Sequence, residues 1–387
     1  MIETCFVGSG IRSALGVGMA ASVEALRRPP APPALLCVPL GAGKEDVPCL
    51  GPDGAVDGDP EERLYRLIEG AAREAITEAG LSQDDLQTTA LLLGTSSLDI
   101  AITEAAYARD IADQKAHGGE AHPLMSNSSM GELGRSLARR LGVGGGDFTI
   151  NTACTASANA LSYGDALVRT GRASHALILG TETFNHTTAL GFKSLDLLTP
   201  IGMRPFDKDR RGIVLGEACA ALVVGPRKRG TNSFRLRGSA NLCDTHGISA
   251  ANPDGSTVAA VIRDALAAAG IGPGHVLAIK SHGTASLLND EAEAAGLKHI
   301  FAAGLPLVCA LKPFIGHTFG ACGLAELVML CACIRSGFIP GTPGISPAPG
   351  DLGIGLTQGP TPVGPGAFLL NYFGFGGNNT ALVVTND

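Results

Sequence analysis

The chain has 387 residues, 45% of them hydrophobic and 17% charged, with a formal net charge of −7. So apolar a composition excludes a disordered chain and implies large buried cores, while the negative balance argues against a nucleic-acid-binding surface. The length suffices for roughly two domains.

Tryptophan is absent and aromatics make up 4%, so the cores must be built from Ala, Val, Leu and Ile. The N-terminal run MIETCFVGSGIRSALG has neither a basic nor an apolar leader region, and the ten cysteines show no framework spacing. The expected compartment is therefore the cytoplasm, with reduced thiols. No apolar run approaches the ~20 residues of a membrane span without glycine or charge.

In chain order, RRPPAPPALL reads as an exposed turn region, and DPEERLYRLIEGAAREAITEAG as a helix. Asp59 and Pro60 open that helix, and Leu64, Leu67, Ile68, Ala71, Ala75 and Ile76 share one face. Strand ALLLGTSS, helix GELGRSLARRLG, strand FTIN, a helix after Cys154, and strands HALILGTE and ACAALVVG complete a first half, residues 1–227. PRKRGTNS reads as a linker. The second half, residues 233–387, repeats the scheme. It runs through strand SFRLRGSANL, helix DGSTVAAVIRDALAAAG, strand HVLAIKSHGT, helix NDEAEAAGLKHIF, strand LPLVCAL and helix GLAELVMLCACIRSG to a terminal hairpin. Alternation of this kind predicts mostly parallel sheets covered on both faces.

Cys154 in NTACTASANAL sits where a strand gives way to a helix. Free N–H groups and the helix dipole can lower a thiol pKa there and make a nucleophile; the alternative is a small buried hydrophobe. Polar groups also stand beside glycine at three strand ends: His282 and Thr284 in IKSHGTAS, Lys312, His317 and Thr318 in ALKPFIGHTFGACG, and Phe373 and Phe375 in NYFGFGGNN. Such ends are where α/β proteins assemble sites. Two basic clusters, Arg139 with Arg140 and Arg204 with Lys208, Arg210 and Arg211, are either docking patches or ordinary solvated faces. Cys322, Cys331 and Cys333 lack His or acidic companions at zinc spacing and read as helix packing, with no metal site.

These motifs, in this order, resemble the β-ketoacyl synthases of the thiolase-like superfamily. The likeness covers essentially the whole chain through NTACTASANAL, RPFDKDRRGIVLGEACAALVV, SHGTAS, LKPFIGHTFGACGLAE and FGFGGNN. It implies a five-layered αβαβα fold of two similar halves. The activity implied is decarboxylative condensation of an acyl-cysteine with a malonyl thioester. It further implies an acyl carrier protein as substrate carrier, no bound cofactor, and a homodimer or a heterodimer with a chain-length-factor-like ketosynthase. On the matching positions, Cys154 is the nucleophile, His282 and His317 stabilise the enolate, and Lys312 positions the histidine region. The N–H groups of Cys154 and Phe375 form an oxyanion hole, Phe375 gates the site, and Glu293 holds the region together. Thr284 and Ser286 meet the phosphopantetheine arm, while Ser96, Ser97 and Phe373 are expected at the acyl pocket. Ser286 and Asn378 stand where threonine is usual, and Ala218 and Cys219 where glycine is usual. SHGTASLLNDEAE is similar to synthases of specialised pathways, aryl polyene makers among them, with saturated fatty-acid elongation as the other reading. The rival functions are a non-catalytic chain-length-factor-like or lipid-binding subunit and, disfavoured by the histidine pair, a thiolase or initiating synthase.

Overall fold

The computed structural model describes residues 1–40, 43–52, 58–117, 129–227, 233–342 and 351–386. Part of the expected linker, 228–232, lies outside them.

The principal elements are β1 (Thr4–Ser13), β2 (Ala34–Leu40), β3 (Gly43–Leu50), α1 (Pro60–Ala79), β4 (Thr89–Gly94), α2 (Ile100–His117), α3 (Glu132–Leu141), β5 (Asp147–Ile150), α4 (Ala156–Arg169), β6 (His175–Glu182), α5 (His186–Ser194) and β7 (Ala218–Pro226). They continue as β8 (Arg235–Cys243), α6 (Ser256–Ala269), β9 (Val276–Lys280), α7 (Leu287–Ile300), β10 (Leu307–Cys309), α8 (Cys322–Arg335), β11 (Ala367–Phe373) and β12 (Asn378–Thr385). Helix α1 starts as its sequence dictates: the Asp59 carboxylate accepts from the N–H groups of Glu61 and Glu62 at 2.9 and 3.1 Å, satisfying donors that have no partner within the helix.

Five strands of the first sheet run in the order β1-β7-β6-β4-β5, and the second sheet runs β8-β12-β11-β9-β10. Both show the same sequence of pairings, two antiparallel and then two parallel. Each first strand also carries an irregularity at a glycine, Gly8 and Gly238. A Cβ there would lie 2.1 Å from the Ala75 carbonyl oxygen, or 2.5 Å from the Ala269 nitrogen. Only glycine lets α1 and α6 cross so close. The halves thus repeat in three dimensions although their sequences do not.

The expectation of mostly parallel sheets needs correction, because half of these pairings are antiparallel. β11 and β12 are joined by the short turn at 374–377, and a tight connection forces neighbouring strands to run oppositely. The expected turn at RRPPAPPALL also ends earlier than its composition implied: from Ala34 the chain forms a hairpin, β2 with β3.

Helices α1 and α3 cover the outer face of the first sheet, and α6 and α7 that of the second. Between the sheets lie α4 and α8, giving five layers, αβαβα. α8 is buried on every side as far as Ile334, including Cys322, Cys331 and Cys333. A helix apolar all round belongs in such a layer. Its one acid, Glu326, is therefore conspicuous.

Candidate active site

The middle layer places the N-terminus of α4 beside the ends of β9 and β11. A cavity of about 310 Å³ opens there, lined by Cys154, His282, His317, Thr284, Ser286, Phe373 and Phe375 among others.

Cys154 is reached through a sharp turn. Ala153 takes a left-handed φ of 52°, a strained conformation for a residue with a Cβ. Gly374 closes over it, so tightly that a Cβ there would stand 3.2 Å from the Cys154 nitrogen. The thiol does not gain the acidity that a helix start can confer. Burial, its largest influence, and the nearby Glu182 push it up to about 12, while Lys312 and the N–H groups of Phe375 and Cys154 oppose them. Desolvation of the thiolate outweighs the donors facing it.

His282 stands just beyond β9, and its backbone is clamped from α7. Glu293 accepts from the N–H groups of His282 and Gly283 at 2.8 and 2.9 Å, and from the Asn371 amide at 3.2 Å. Lys312 donates to the His282 carbonyl at 2.7 Å and to Glu326 at 2.8 Å, with the His282 Nδ1 at 3.3 Å. His317 is strung onto the first half: its N–H donates to the Val214 carbonyl, and its carbonyl accepts from Gly216. Its Nδ1 accepts from the Phe319 N–H at 3.3 Å.

An ammonium and a backbone N–H can only donate, so both Nδ1 atoms are acceptors and both protons sit on Nε2. Burial first, then the positive charge of Lys312, holds both imidazoles well below the usual histidine range. The rings lie 5.5 Å apart and nearly perpendicular. Two neutral N–H donors thus flank the cavity that holds a thiol. For Lys312, burial works against its charge, but Glu326, Cys322 and Cys154 keep the ammonium above its ordinary range.

Thr284 and Ser286 share a hydroxyl contact of 3.0 Å along the same cavity. Phe373 is buried beside His282, and Phe375 is partly exposed. Ser96 and Ser97, expected at the acyl pocket, are turned to a buried carboxylate. Both donate from N–H and hydroxyl to the buried Glu182 carboxylate, and neither lines the Cys154 cavity. Cys219 meets the Thr181 hydroxyl at 3.0 Å inside the first sheet, and Ala218 begins the same strand, so their departure from glycine leaves the site loops untouched. Arg139 and Arg140 pair with Glu132 and Glu69, Arg204 and Arg210 with Asp207 and Asp351, whereas Arg211 borders the cavity.

Sequence reasoning missed several groups. Glu326 had a signal, as a lone acid in an apolar helix, and so had Lys280, a lysine closing a buried strand. Asn379 is 1% exposed and lines the cavity, with its amide nitrogen unpartnered among the described residues. Phe192 and Phe319 extend from Phe375 to His317 as a run of rings: Phe375 on Phe192 at 5.5 Å, Phe192 on Phe319 at 5.0 Å, Phe319 on His317 at 4.7 Å.

Residues 52–229 match the β-ketoacyl synthase N-terminal domain and 234–346 its C-terminal domain. The 3-oxoacyl-[acyl-carrier-protein] synthase 2 of Mycobacterium tuberculosis is 28% identical over 339 residues, 82% of this chain and 79% of that one. The chloroplastic synthase II of Arabidopsis thaliana is 33% identical over 266 residues, 64% of this chain and 48% of the relative. Among solved structures, a chain of the ketosynthase ApeO complex with its chain length factor ApeC from Xenorhabdus doucetiae superposes with a TM-score of 0.86 at 27% identity, covering 100% and 98% of the two chains. A chain of the ishigamide ketosynthase/chain length factor gives 0.84 at 26% identity, covering 100% and 99%. Matched in sequence by both domains and in fold along its whole length, the chain belongs to the β-ketoacyl synthase family, the condensing enzymes that join acyl units with loss of carbon dioxide.

Proposed function

We propose that Cys154, His282 and His317 carry the condensation, with the supporting roles distributed around them. The observation behind this is the convergence of one thiol and two neutral Nε2–H donors on a single cavity. Cys154 attacks an acyl thioester on the phosphopantetheine of an acyl carrier protein. Its proton goes to the departing pantetheine thiolate, which leaves as the thiol. The N–H groups of Cys154 and Phe375 face the sulfur and suit the oxyanion of that step. A malonyl thioester then enters and loses carbon dioxide, and the two imidazole N–H groups hold the enolate oxygen. The enolate carbon attacks the acyl-Cys154 carbonyl; the C–S bond breaks, the thiolate takes up a proton, and the chain leaves two carbons longer.

Lys312 and Glu293 fix His282, Thr284 and Ser286 guide the arm, and Phe375 gates entry. Residues 1–227 supply the nucleophile and 233–387 the histidines and gate. Arg211, exposed at the cavity, and Lys208 are the cations we assign to carrier-protein docking. We place the protein in the cytoplasm as a dimer. Two structural relatives are named as ketosynthase/chain length factor pairs, which supports a heterodimer over a homodimer. A non-catalytic subunit is the weaker reading, because such a role needs neither the thiol nor both imidazoles.

The acyl substrate we favour is a conjugated chain, aryl polyene in type, rather than a saturated fatty chain. The support is aromatic: Phe192, Phe373 and Phe375 line the cavity, and planar unsaturated chains pack well against aromatic rings. Intact-mass spectrometry after incubation with saturated, enoyl and aryl-enoyl carrier-protein thioesters tests both levels. A single acyl adduct, lost in Cys154→Ala and formed fastest from the enoyl chains, is expected. Loading that survives Cys154→Ala contradicts the nucleophile; preference for saturated chains contradicts the substrate.

A further inference from the structure

Lys280 closes β9 two residues before His282, and its side chain is 0% exposed. A lysine at such a place is costly to bury unless its charge is met. It is met three ways. The ammonium donates to Glu326 at 2.5 Å and to the Asn371 carbonyl at 2.8 Å, and it lies 3.7 Å over the Tyr372 ring. Glu326 takes Lys312 on its other oxygen. One carboxylate therefore serves two ammonium groups, so the two lysines outnumber the acid they share.

The same ammonium joins the two carboxylates that hold His282. On one side it shares Glu326 with Lys312, which bonds the His282 carbonyl. On the other it bonds Asn371, whose amide donates to the Glu293 that clamps the His282 N–H. We propose that Lys280 is a positioning residue of the condensing site: it locks these two arms together and supplies the second buried positive charge that opposes protonation of His282 and His317. The proposal rests on the enolate-binding reading of those histidines.

The groups facing the imidazoles set the balance. Lys312 and Lys280 act on both rings and His317 on His282; Glu326 on α8 pairs with both lysines, Glu293 on α7 holds the His282 backbone, and Cys154 shares the cavity, with Glu182 at the end of β6 acting on it. Of the carboxylates, Glu293 and Glu182 already take several N–H donors each, leaving Glu326 as the partner of both ammonium groups. After burial and Lys312, and for His282 after His317 as well, Lys280 contributes to holding both imidazoles below their ordinary range. Burial, with Lys312 beside it, brings the Lys280 ammonium below its ordinary range, and Glu326 opposes that effect. A neutral imidazole keeps its Nδ1 lone pair for the bonds described above and its Nε2–H for the enolate. A protonated one would break the first arrangement.

The test is the pH profile of carbon dioxide release from malonyl-acyl carrier protein, with thermal melts as the folding control. In Lys280→Gln or Lys280→Met, the acid limb should move up by about one pH unit, a tenfold loss of rate relative to the parent at any pH well down that limb. The double variant Lys280→Met/Glu326→Gln restores one net positive charge through Lys312. Its normalised profile should return to the parent's even if its absolute rate is lower. This holds as the decisive comparison if the single variants fail to fold. Single-variant profiles that superimpose on the parent's overturn the proposal, as does a double variant that keeps the shifted limb. His282→Ala, run in parallel, separates the two readings: full decarboxylation in that variant overturns the enolate assignment itself.

Discussion

Cys154 shows how local and long-range physics compete at one residue. Its position ahead of α4 favours the thiolate, and its burial disfavours it more strongly. Alkylation of Cys154 by iodoacetamide is therefore expected to rise about tenfold per pH unit from pH 7 through pH 10, with no plateau, since only the thiolate reacts. A plateau below pH 8 would show a depressed thiol. Cys37 and Cys243 are exposed and need replacement by serine before this is measured. Gly377 is another residue with a single solution. Its φ is 80°, and a Cβ would lie 2.0 Å from the Asp244 carbonyl oxygen. Gly377→Ala should displace the turn bearing Phe375 and cost about 1–3 kcal/mol, read as a lower melting temperature together with slower acyl loading.

At the scale of elements, α1 is tied to the segment that carries His317. The Arg63 guanidinium meets Glu217 with two bonds of 2.5 and 2.7 Å, both side chains buried. Glu217 also accepts from the Phe184 N–H at 2.7 Å, and its neighbours Leu215 and Gly216 pair with His317. Arg63→Ala leaves a buried carboxylate without its cation and should cost about 3–5 kcal/mol, with decarboxylation falling more than acyl loading. Equal losses would confine the pair to stability. These links also explain what the sequence could convey. Helix α1 is legible because its cap, its apolar face and its left-handed Gly80 are local. The strand-end histidines are legible because polar groups beside glycine contrast with the apolar runs before them. Strand direction is not, since it depends on how distant segments return to a sheet. The surroundings of Ser96 and Ser97 are not legible for the same reason: the Glu182 that binds them lies more than eighty positions away. Lys280 and Glu326 each look anomalous alone, and only the fold brings them together.

The molecule as a whole keeps its chemistry in a deeply buried centre, and its stability should reveal this. Burial, the leading cause in each case, raises the thiols of Cys49, Cys154, Cys219, Cys309, Cys322, Cys331 and Cys333. A group whose folded pKa is raised lends stability that is complete below its unfolded pKa and is lost as pH rises toward the folded value. For thiols that loss begins at about pH 8.5. Melting temperature under reducing conditions should fall steadily above that pH, and Cys309→Ala should make the slope shallower. A melting temperature flat to pH 10 would contradict the burial described here. The two sheets matter to function as well as to stability, because each supplies part of the site: the first leads into Cys154, and the second presents His282 and the turn of Phe375. The division of labour between thiol and imidazoles is the central claim, and half-reactions test it most directly. The measurement is acyl loading by intact mass, set beside carbon dioxide release from malonyl-acyl carrier protein, in His282→Ala and His317→Ala. Loading that persists while decarboxylation falls about a hundredfold or more is the expected result. Equal losses in both half-reactions would contradict the enolate role of the two histidines.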